Sequence, residues 1–124
     1  MSLKTKDAPA SVWNTQELLG RVDNDPELMH EILGIFRTEF PRALRALALS
    51  VADGDVRKSA TLSHTLKGML ANIAAPRAAA AAANLERLAA AGDRGALATG
   101  LDKLQIETAA LQPHLEAYLA EVRP

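Results

Sequence analysis

Apolar positions recur along most of this chain at the spacing of an α-helix, and polar or helix-breaking residues interrupt them at a few junctions. After a polar opening stretch, Leu18, Leu19 and Val22 share one side of a short helix that Asn14 or Thr15 can cap. Asp23-Asn24-Asp25-Pro26 stops it and starts the next, with Asp25 as N-cap, Pro26 at the first helical position and Glu27 favourable to the helix dipole. From Pro26 to about Ala52, the positions Leu28, Ile32, Ile35, Phe36, Phe40, Leu44, Leu47 and Val51 follow the helical period and predict the long core helix. Pro41 removes one ladder bond, so a kink is expected there rather than a break. Gly54-Asp55 ends this helix and caps a third, which runs from Val56 to about Ile73. Ala74-Ala75-Pro76 turns into an alanine-rich helix reaching about Ala91, and Gly92-Asp93 leads to a last helix from Arg94 to about Val122. The last helix carries Leu97, Leu101, Leu104, Ile106, Leu111, Leu115, Tyr118, Leu119 and Val122, is weakened at Gly100, and is bent or divided at Pro113.

Four substantial helices joined by short connections predict an all-α fold, an up-down antiparallel four-helix bundle with the short N-terminal helix covering one end. The expected organisation is a flexible leader over residues 1–13, with Val12 and Trp13 tucking against the body, and one bundle domain over residues 14–124. Composition refines this picture. Of the 124 residues 48% are hydrophobic but only 3% aromatic, so aliphatic side chains must fill the interior, which favours packed helices over a sheet. The absence of cysteine excludes a disulfide framework and a thiolate metal site, and fits a reducing, cytoplasmic setting. A net charge of −1 gives no footprint for a polyanion, so nucleic acid is not an expected partner. No apolar run approaches the roughly 18 residues of a membrane span, and membrane contact is not expected.

Chemistry concentrates in the third predicted helix. With Leu66 at the centre of the buried side and 100° per residue, Leu62, Met69, Leu70 and Ile73 fall on the core stripe, while His64 points to solvent. Ala60, Gly68 and Ala71 share the outer face with His64, with Arg57 and Thr61 in the preceding turns and Lys67 at one flank. A histidine on such a small-residue patch is open to approach by another protein. Counting through the turn at Ala75 puts Glu86 level with His64 in an antiparallel hairpin, where it can accept from Nδ1–H and leave Nε2 with a free lone pair. The count fixes level and not facing direction. Gly68 lowers helix stability by about 1 kcal/mol relative to Ala, which suits a place that something must approach closely. His30 and His114 have no partner pattern, and no His-x-x-x-His motif marks a metal site.

The segment His64-Thr65-Leu66-Lys67-Gly68, with Ala71-Asn72-Ile73 behind it and Leu85-Glu86 in the following helix, resembles the histidine-containing phosphotransfer (HPt) domains of bacterial phosphorelays. The likeness extends to Glu17-Leu18-Leu19, Asp25-Pro26-Glu27-Leu28, the Phe36/Phe40/Pro41 pattern and both Gly-Asp junctions. It implies a four-helix bundle in which His64 is the phosphoacceptor, Lys67 helps hold the phosphoryl group, Glu86 hydrogen-bonds the imidazole and Gly68 leaves room for a receiver domain. Arg57, Ala60, Thr61, Gly68 and Ala71 are then the candidate docking residues. Met69 stands where many members have Ser, and Ala74 where Gly often follows the Asn-Ile step.

The reading that follows is a relay intermediate. It takes a phosphoryl group from a receiver aspartate onto His64 and passes it to another receiver aspartate, with response regulators or hybrid histidine kinases as partners. Such a carrier is not an autonomous kinase, acts as a monomer and needs no cofactor of its own, Mg²⁺ being expected on the receiver. It fits a free-standing protein or a domain of a larger hybrid kinase. The alternative is a non-phosphorylated helical adaptor for a receiver or kinase, against which the intact set of His64, Lys67, Gly68 and Glu86 weighs. A sensor-kinase phosphoacceptor region is the third possibility; these usually place an acidic residue directly after the histidine, where this chain has Thr65.

Overall fold

The computed structural model describes residues 11–121, and these form five helices: α1 (Thr15–Arg21), α2 (Pro26–Ala52), α3 (Val56–Asn72), α4 (Pro76–Ala90) and α5 (Arg94–Glu121). Each start has a local cause. Asn14 Oδ1 accepts from the backbone N–H of Glu17 at 3.0 Å, Asp25 Oδ1 from those of Glu27 and Leu28 at 3.0 and 3.1 Å, and Asp55 Oδ1 from that of Lys58 at 3.0 Å. Pro76 opens α4, whose N-cap Ala75 supplies no side-chain bond. Gly54 and Gly92 take left-handed φ values of 69° and 75° at the two Gly-Asp junctions, where a side chain would be strained. At the α3–α4 turn Ala74 takes φ 62° instead, so the turn closes through a left-handed alanine where glycine is the usual residue.

The four long helices pack in chain order, α2 on α3, α3 on α4, α4 on α5, and α5 closes the ring on α2. Their facing sides bury Met29, Leu33, Phe36, Phe40 and Leu47 of α2, Leu66 and Leu70 of α3, Ala78, Ala82 and Leu85 of α4, and Leu97, Leu104, Leu111 and Leu115 of α5. Short connections between long helices are what make neighbours antiparallel. The predicted core of α2 needs correction at two positions. Leu28 and Ile35 are 40% and 59% exposed, whereas Met29 and Leu33 are fully buried. Leu28 and Ile35 each lie one residue, 100° around the helix, from the buried row through Met29 and Phe36. Ile106 is likewise exposed at 65%, and the buried side of α5 runs instead through Leu97, Gly100, Leu101, Leu104, Leu111, Leu115 and Leu119. Both internal prolines leave their helices continuous: α2 runs through Pro41, and α5 is not divided at Pro113.

The short helix closes the end of the bundle at the α3–α4 turn. Trp13 Nε1–H donates to the carbonyl of Ile73 at 2.8 Å, the Asn14 N–H to that of Ala74 at 2.8 Å, and the Arg21 guanidinium to those of Ala71 and Asn72. These donors satisfy carbonyls that the end of α3 leaves without helical partners. Trp13 also meets Tyr118 edge to face, with ring centroids 5.7 Å apart, which ties α5 to the same end. Val12 and Trp13, at the end of the leader expected over residues 1–13, therefore pack on the body, while residues 1–10 of that leader and the helix end expected at Val122 lie outside the described residues.

Candidate functional site

Helices α3 and α4 form the hairpin on which the site stands. Leu66 and Leu70 anchor the inner side of α3, and Ala78, Ala82 and Leu85 that of α4; the alanines bring the two backbones close. His64 is thereby held outward, its side chain 67% exposed. Its Nδ1 lies 3.0 Å from Glu86 Oε2, a contact 22 residues apart in sequence. Glu86 is an acceptor when ionised, so the neutral imidazole bonded to it carries its proton on Nδ1 and presents the Nε2 lone pair to solvent. The other oxygen of the same carboxylate, Oε1, receives the Lys67 ammonium at 2.9 Å. The Lys67 hydrogen bond is the largest influence on the Glu86 carboxyl and holds it below its ordinary range; partial burial opposes it, and the hydrogen bond with His64 adds a further lowering. The site is therefore one carboxylate shared between an imidazole and an ammonium at the surface of a helix hairpin.

This geometry suits nucleophilic attack by Nε2 on an electrophile delivered from outside. A cleft between α2 and α5, floored by Phe36, Phe40, Leu44, Leu111 and Leu115 and rimmed by the Arg37–Glu116 ion pair at 2.9 Å, lies on a different helix pair. Among the described residues, no three His, Asp or Glu side chains are grouped to hold a metal ion, and no helix is long and apolar enough to cross a membrane.

A scan against protein-family models matches the Hpt domain over residues 31–123. The chain belongs to this family. Membership implies a phosphotransfer role in phosphorelays, carried out as a phosphocarrier rather than as a kinase. Searches of curated proteins and of solved structures returned no match.

His64, Lys67 and Glu86 come together in one cluster, and the facing direction of Glu86, which counting left open, is toward His64. Arg57, Thr61, Gly68 and Ala71 are exposed and Ala60 is half-buried, all on α3. The Thr61 hydroxyl turns back to the carbonyl of Arg57 at 3.3 Å, and the Ala71 carbonyl is taken by Arg21 at 2.8 Å. A Cβ added to Gly68 would meet nothing within 4 Å, so no packing inside the chain requires glycine there. Two features escaped sequence reasoning. The Lys67–Glu86 pair was hidden because a lysine three residues from His64 has several surface directions open to it. Buried serines on the inner side of α3 were also missed: Ser59 Oγ shares a 2.8 Å hydrogen bond with Ser50 of α2, and Ser63 Oγ lies buried without a partner. An apolar-periodicity search passes over serine, though its spacing of four before Ser63 and seven before Leu66 was a usable signal.

Proposed function

We propose that this Hpt domain is a relay intermediate whose phosphoacceptor is His64. The observation that carries the reading is the exposed imidazole with Nδ1 engaged at 3.0 Å by Glu86, which leaves Nε2 as the outward nucleophile. Nε2 attacks the phosphorus of a receiver phosphoaspartate, the new N–P bond forms, and the P–O bond to aspartate breaks with its electron pair returning to the carboxylate. The ring keeps its Nδ1 proton and becomes cationic, and Glu86 is placed to stabilise that charge through a hydrogen bond worth about 1.5–3 kcal/mol. Return of the phosphoryl group to a second receiver aspartate reverses these steps.

Positioning and charge neutralisation, rather than covalent help, are what such a transfer requires. The receiver contributes the acidic pocket and its divalent ion, so this chain works without a cofactor. Arg57, Ala60, Thr61, Gly68 and Ala71 form the landing surface for receiver domains of response regulators or hybrid histidine kinases, a transient contact made by a cytoplasmic monomer. Incubation with a radiolabelled phospho-receiver and Mg²⁺ tests the reading: wild type takes acid-labile label, and His64→Gln takes none while keeping its thermal stability within about 0.5 kcal/mol. Label on both proteins overturns the site. Absence of label on both, across a broad panel of receivers, favours the adaptor.

A further inference from the structure

One carboxylate, Glu86, serves two partners at once: Oε2 lies 3.0 Å from His64 Nδ1 and Oε1 lies 2.9 Å from Lys67 Nζ. Building on the phosphocarrier reading, we propose that Glu86 stores the Lys67 ammonium in the resting state and releases it to the phosphoryl group on loading, keeping the imidazole for itself.

The charge count at each stage favours the exchange. In the resting site a neutral imidazole, the Glu86 carboxylate and the Lys67 ammonium sum to zero, and the ammonium has no other anion in the cluster. Loading places a group of about two negative charges on Nε2 and one positive charge on the ring, because the proton on Nδ1 stays. The carboxylate then has a cation bonded to it through Nδ1–H, and the ammonium has a stronger anion beside it on the same helix. Lys67 follows His64 by three residues, the spacing at which helical side chains are neighbours, and its four-carbon stem lets the ammonium change partners without backbone movement.

Exposure sets the cost of release. The Lys67 and Glu86 side chains are 37% and 27% exposed, so water reaches the pair and replaces lost contacts, and an ion pair of this kind is weak enough to exchange. Glu86 is held in its ionised form in this setting, first by Lys67 and then by His64. A glutamine at position 86 would still accept from Nδ1–H but would carry no charge to retain Lys67. The exchange therefore depends on the carboxylate and not merely on a hydrogen-bond acceptor.

The test uses the whole chain with ¹⁵N-labelled lysine, loaded chemically with phosphoramidate so that no receiver partner is needed, and follows the Lys67 Nζ signal by NMR. In unloaded protein, Glu86→Gln shifts the Lys67 signal; in loaded protein the wild-type signal moves and converges with that of Glu86→Gln, since both ammonium groups then face the phosphoryl group. Circular dichroism of wild type and Glu86→Gln confirms that both proteins are folded. A Lys67 signal that does not move on loading, or that still responds to Glu86→Gln after loading, overturns the exchange while leaving the carrier intact. Phosphate appearing elsewhere than on His64 in the ³¹P spectrum overturns the carrier reading itself, and with it the exchange.

Discussion

Glu86 illustrates how much of this site rests on a single side chain. Its carboxyl is shifted down chiefly by the Lys67 hydrogen bond and secondarily by His64, so in wild type its titration midpoint falls below the ordinary value of 4.5. A folded-state midpoint below the unfolded one means that the folded protein binds this proton less readily. The associated stability is fully present above the unfolded midpoint and disappears as the pH falls through the folded one. Carboxyl-carbon NMR titration should place the Lys67→Ala midpoint closer to 4.5 than that of His64→Gln, in keeping with the order of the two causes. Gly68 is the second telling residue. Open space surrounds its missing Cβ, so Gly68→Ala should raise unfolding free energy by about 1 kcal/mol in a denaturant titration. The bulkier Gly68→Gln should also fold, yet slow transfer from a receiver by tenfold or more if the partner's surface must pass there. Gly68 was legible in the sequence as a costly glycine beside an exposed histidine; that nothing within the chain needs it became visible only in the packing.

Helices differ in what fixed them. α3 was legible almost to the residue, since Asp55 caps it, Leu66 and Leu70 mark its inner side, and His64 lies opposite. α2 was legible in extent but not in rotation: Leu28 and Ile35 extend an apolar pattern that is wider than the buried side. α5 holds the opposite lesson at Gly100, which looked like a weak point and is a contact. A Cβ there would come within 2.9 Å of Leu85 Cδ1 and 3.2 Å of Leu88 Cδ1, and Leu85 itself is fully buried. Gly100→Ala should therefore destabilise the protein by on the order of 1 kcal/mol, overpacking outweighing the gain in helix propensity, as read from its thermal midpoint. Gly100→Ala also pushes on the residue next to Glu86, so the His64 ring signals should shift in the same variant.

At the scale of the whole molecule, the short N-terminal helix and Trp13 hold the end from which the α3–α4 hairpin extends. The indole N–H bonds Ile73 and its ring meets Tyr118, so one side chain joins the turn to α5. Trp13→Ala should cost on the order of 2 kcal/mol, less than a fully buried tryptophan because Trp13 is only partly covered. Amide exchange should accelerate first at Ala74 and Ala75, whose N–H groups close the turn on Ala71 and Leu70.

Local chemistry settled the all-helical class and, among the described residues, the five helices and the junctions between them, because caps, glycines and prolines act within a few residues of where they stand. It also determined that His64 faces water, since a helix ties the direction of a side chain to that of Leu66 two residues away. Tertiary structure alone decided which way Glu86 points, that Lys67 shares its carboxylate, and which row of α2 is buried. Each of these depends on the rotation of one helix against another, and that rotation is set by the fit of whole surfaces such as the alanine side of α4 against α3.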